Sequence, residues 1–106
     1  MELLLTGRRM PAEEAARWGL VNRVVEPGQV MTAARALAQE IASAAPLAVR
    51  ATKAIVNATA ELSERDGYDE IRSGRVPAYQ RALDSEDAQE GPRAFSEGRD
   101  PIWRGR

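Results

Sequence analysis

The sequence contains no cysteine and no histidine. Without cysteine there is no disulfide framework and no thiolate chemistry. Without histidine there is no Ser-His or Cys-His nucleophilic pair, and nearly all zinc-ligand patterns are excluded. Any proton transfer falls to Asp, Glu, Tyr or Lys53, the one lysine of the chain. Aromatic residues are scarce, at 5%. No apolar run approaches the roughly 20 residues of a membrane span. The opening "MELLLTGRR" has no basic stretch before its leucines and no cleavage site, so it does not read as a secretory signal. Acids and bases are interspersed and sum to -1. Such a balance lacks the basic field that a nucleic-acid or membrane-surface binder needs. These absences fit a cytoplasmic chain with no nucleic-acid and no membrane partner.

What remains is a short, alanine-rich chain. At 106 residues it is one domain or part of one. Its hydrophobic fraction is 43%, and much of that is alanine. Alanine favours helix but brings little area to a core. Conformational entropy is then hard to offset, and the chain is expected to be marginal unless it packs on something else.

Gly and Pro divide the chain into short helices. "MELLL" reads as a helix end stopped at Thr6-Gly7. "PAEEAARWG" reads as a second helix, with Pro11 in its first turn, Glu13 and Glu14 at the positive end of its dipole, and Gly19 as its left-handed stop. "LVNRVVE" reads as an extended segment or short strand, and Pro27-Gly28 as a turn. From Gln29 to Ala44, the residues Val30, Ala34, Leu37 and Ile41 form one helical stripe. Pro46 ends that helix and opens the next, where Leu47, Ala51, Ala54, Ala58 and Leu62 repeat at helical spacing. Val49 and Val56 lie near the opposite side of this helix, so it is expected to have neighbours on two sides. Gly67, Gly74 and Pro77 interrupt the next stretch, predicting a broken helix or two short ones. Ser85 is a predicted N-cap with Glu86 and Asp87 behind it. Pro92 is expected to end or kink that last helix, and Asp100-Pro101 to mark the exit into a tail.

Candidate chemistry is thin. Glu13/Glu14, Asp69/Glu70 and Glu86/Asp87 are acid pairs, but adjacent helical side chains diverge by about 100° and do not enter one site. Two of the pairs are explained as first-turn partners of the helix dipole. Lys53 lies on the polar side of its helix, without the apolar pocket that a Schiff-base lysine requires. Ser85 has no histidine base and is better read as a cap. The glycines form neither a dinucleotide-binding nor a P-loop pattern. "EEAARWGLVNRVV" begins like a helix-turn-helix, but a valine-rich segment stands where a recognition helix is needed.

Three stretches, in order, resemble the C-terminal part of the enoyl-CoA hydratase/isomerase (crotonase) family. They are "ELLLTGRRMPAEEAARWGLVNRVVE", "ALAQEIASAAPLAVRATKAIVNA" and "SEDAQEGPRAFSEGRDPIWRGR". The stretch "SGRVPAYQRAL" matches more loosely. The resemblance implies a mostly α chain, the C-terminal helical part of a crotonase (ClpP/crotonase-like α/β) fold, with at most one short strand. Residues 1–28 correspond to the helix, turn, helix and extended segment after the core. Residues 29–106 correspond to trimerisation or lid helices and a tail.

The resemblance also implies an acyl-CoA substrate, no metal and no redox cofactor, CoA being part of the substrate. Family members hold an enolate-like oxyanion with two backbone N–H groups, a large catalytic term. Their hydratases add water with two glutamates. Both features precede the region matched here, and Glu13 and Glu14 do not correspond to the catalytic pair. No catalytic residue carries over, so the chain alone is expected to be inactive in hydrating or isomerising enoyl-CoA. For substrate binding, Phe95 matches an aromatic that contacts the CoA nucleotide end across a subunit interface in some hydratases. The lysine expected three residues later is Gly98 here, and Arg99 matches the arginine beside it. The implied partners are further copies, as a trimer or hexamer, or an N-terminal half. A non-catalytic helical interaction module is the alternative, and a truncated reading frame is a third.

Overall fold

The computed structural model describes all residues from Met1 to Arg106. All the regular structure is helix, and the chain falls into two compact units, Met1–Leu37 and Ala38–Arg106. The helices are α1 (Glu2–Thr6), α2 (Ala12–Arg17), α3 (Val30–Ala42), α4 (Pro46–Thr59), α5 (Glu64–Arg72), α6 (Pro77–Leu83) and α7 (Glu86–Glu97).

In the first unit, α1 stops at Gly7, whose φ of 62° is left-handed and whose N–H bonds to the Leu3 carbonyl. Pro11 stands one residue before α2, as its N-cap at ψ 153° and not in its first turn. That extended ψ sets the entry angle, and proline's fixed φ suits it. At the other end, Gly19 N–H bonds to Ala16 O and Leu20 N–H to Ala15 O. With Gly19 at φ 71°, this pair of bonds is the Schellman stop. Residues 23–26 form no strand. A strand needs a partner ladder, and no other segment pairs with this one. Ala15 is the unit's buried core residue. The stripe expected along α3 is largely uncovered, since Val30 and Ile41 are exposed and α3 buries no residue.

The second unit is built around α4, which packs against α5 and α6, with α6 packed in turn on α7. Pro46 opens α4 at its first turn, where a missing N–H costs nothing. The helix ends at Thr59, three residues before the expected Leu62. Its buried side centres on Ala51, flanked by half-buried Leu47 and Ala54. On the opposite side Val56 remains 59% exposed. The expected interruption at Gly67 does not occur: Gly67 lies buried inside α5, against the Thr59 side chain. A helical glycine costs about 1 kcal/mol relative to alanine, and packing of α5 on α4 overrides it. Ser63 caps α5, accepting the Asp66 N–H at 3.2 Å. Ser73–Gly74 and Pro77 separate α5 from α6 as expected.

The last helix corrects a second expectation. Pro92 does not end the helix, and α7 runs from Glu86 to Glu97 through it. Proline removes one helical hydrogen bond, but both Pro92 and Ala88, whose carbonyl loses its donor, are exposed to solvent. Ser85 fixes the N-terminus. Its Oγ accepts from the Ala88 N–H at 3.2 Å and donates to the Ala82 carbonyl at 2.6 Å, so one hydroxyl joins the end of α6 to the start of α7. Gly98, at φ 64°, ends the helix with the Arg99 N–H on Ala94 O, a second Schellman stop.

After Gly98 the tail returns along α7. Asp87, only 5% exposed, accepts the Arg104 N–H at 2.7 Å and the Gly105 N–H at 2.9 Å. The Glu86 N–H donates to the Arg106 carbonyl at 2.7 Å. Trp103 lies against Gly91 and donates its Nε1–H to the Ser43 carbonyl at 3.0 Å. Asp87→Ala removes both acceptors and is expected to cost about 1.5–3 kcal/mol, the range for bonds to a charged group. A lower urea midpoint with an unchanged slope measures it. Asp87→Asn, which keeps one acceptor oxygen, is expected to lose less.

Candidate functional site

The residues singled out in the sequence do not converge on one cavity. Glu14 pairs with Arg8, whose Nη2 lies 2.6 Å from Glu14 Oε1 and whose Nε lies 2.7 Å from Glu2. The Arg8 hydrogen bond holds the Glu14 carboxyl below the usual carboxylate range, so it stays an ion and not a proton shuttle. Glu70 pairs with Arg75 at 2.6 Å. Asp87 carries the tail. One member of each acid pair is therefore already committed. Lys53 is exposed on α4. The Ser85 hydroxyl is buried and fully used as a cap. No group of three or more acidic side chains comes together that could hold a metal ion.

Phe95 and Arg99 lie at the C-terminal end of α7. Phe95, in its last turn, is 89% exposed, a large apolar face turned to solvent. Arg99 follows the Gly98 stop. The left-handed backbone at Gly98 accounts for glycine there, because a lysine would carry a Cβ into a conformation that side chains rarely adopt. The Arg99 guanidinium is gripped on two edges. Nη1 and Nη2 donate to the two Glu90 oxygens at 2.6 and 3.0 Å, Nε donates to Glu97 at 2.5 Å, and Nη1 also reaches the Asp100 carbonyl. The Glu90 contact is the bidentate fork that makes arginine–carboxylate pairs strong.

Glu90 does a second job, since its Oε1 accepts the Ile102 N–H at 2.9 Å. No sequence pattern points to this. Glu90 reads as an ordinary polar position in mid-helix, and its partners lie nine and twelve residues on, beyond a turn that periodicity does not describe. A groove beside the first turns of α7 is lined by Asp84, Glu86, Glu90, Arg93 and Arg104. Its acids outnumber its bases, which disfavours an anionic ligand there. A different groove, in the first unit, is apolar and lined by Val21, Val24, Val30, Ala34 and Leu37.

Arg99 first, and then the Ile102 N–H, hold the Glu90 carboxyl down at about 2, against an ordinary 4.5. A depressed folded-state pKa stabilises the folded form fully above the ordinary value and loses that contribution as the pH falls through the depressed one. The Glu90 clasp is therefore expected to hold unchanged above about pH 4.5 and to release as the pH falls toward about 2. Hydrogen exchange at the Ile102 amide reads this step, and Glu90→Gln is expected to abolish it.

The family model for enoyl-CoA hydratase/isomerase matches residues 1–106. A carnitinyl-CoA dehydratase of Salmonella paratyphi A is 55% identical over 105 residues, covering 99% of this chain and 40% of that protein. The carnitinyl-CoA dehydratase of Citrobacter koseri is 56% identical over the same length and share. Among solved structures, an enoyl-CoA hydratase from Mycobacterium tuberculosis H37Rv superposes with a TM-score of 0.85 at 42% identity, covering 100% of this chain and 40% of that one. An enoyl-CoA hydratase from Bacillus anthracis gives 0.86 at 34% identity, covering 99% and 39%. The chain thus spans about 40% of the length of the relatives it matches. On the match across residues 1–106, the chain belongs to the enoyl-CoA hydratase/isomerase family.

Proposed function

We propose that this chain is the C-terminal helical part of a cytoplasmic enzyme acting on acyl-CoA thioesters, and that by itself it does not hydrate or isomerise enoyl-CoA. The family match over residues 1–106 carries the reading. Relatives named as hydratases and dehydratases favour addition or removal of water over the family's other reactions. The state of the acids supports the inactivity. Addition of water needs two carboxyl groups turned toward one reacting double bond, with positioned N–H donors for the oxyanion. Here Glu14, Glu70 and Glu86 are held in ion pairs and Asp87 by backbone N–H groups.

In this reading residues 1–28 follow the catalytic core, and residues 29–106 form the oligomerisation or lid helices and the tail. Phe95 offers an exposed face on which the adenine of a CoA molecule bound by a neighbouring copy can stack. Arg99 supplies the nearby positive charge for a phosphate.

A second reading is a non-catalytic helical module that assembles with copies of itself or with a separately supplied N-terminal half. Exposed apolar side chains support it: Leu4 at 85%, Leu5 at 80%, Trp18 at 73% and Leu20 at 68%. Large apolar side chains left this exposed are what an interface would cover. Two measurements test these readings. The purified chain is expected to give no turnover of crotonyl-CoA, and steady turnover that follows the chain through successive columns overturns the first reading. Light scattering after size exclusion is expected to show an oligomer. A well-folded monomer at all concentrations counts against both the oligomer and the module.

A further inference from the structure

We draw no further inference here: the strongest candidate, the apolar groove of the first unit lined by Val21, Val24, Val30, Ala34 and Leu37, carries none because nothing in the structure shows what covers it.

Discussion

Carboxylates on α7 turn the tail back, and the second unit depends on them. Asp87 is buried, and a buried carboxylate is costly unless hydrogen-bonded. Its bonds come from two consecutive backbone N–H groups of the tail. Glu90, one turn on, engages the tail's start through Arg99 and Ile102. With both ends fixed, Trp103 is delivered to the α3–α4 connection, where it meets the Ser43 carbonyl. The helices alone offer little else to bind them. The buried apolar residues of this unit are Ala51, Val76 and Ala94, and no large side chain is fully buried. A small apolar core leaves proportionally more of the organisation to polar contacts.

The local architecture was legible where it rests on local chemistry. Gly7 and Gly19 announce left-handed stops, and each adopts a positive φ. Ser85 and Pro46 announce helix starts because capping and first-turn geometry are decided within four residues. The failures have a common cause. Gly67 and Pro92 are poor helix residues taken singly, yet both lie inside helices. Packing of α5 on α4 and solvent access at Ala88 and Pro92 decide them, and neither is a local property. The valine-rich segment before Pro27, read as extended or as a short strand, forms no strand, since a ladder is a property of two segments.

The candidate site was less legible than the fold. Phe95 and Arg99 can be named only through the family resemblance, because a lone aromatic and an arginine near a terminus carry no pattern of their own. Glu90 was missed altogether. The acids that attracted notice as pairs prove to be organisers: Glu14 orders Arg8, Glu70 orders Arg75, and Asp87 orders the tail. Adjacent acids on a helix diverge, and the structure uses that divergence to reach different partners.

The Trp103–Ser43 bond spans 60 residues of sequence. Bonds within the helices span four, and the Ser85 and Ser63 caps span three. Closing so long a loop through an unfolded chain carries an entropic cost with little immediate return. The cost falls once α4 to α7 are formed, because they bring Ser43 and the docking side of α7 within the tail's reach. The helices and their caps carry little of that cost, since their bonds close within four residues. Trp103 therefore reports on the docked tail, a state that the bonds within the helices do not sense.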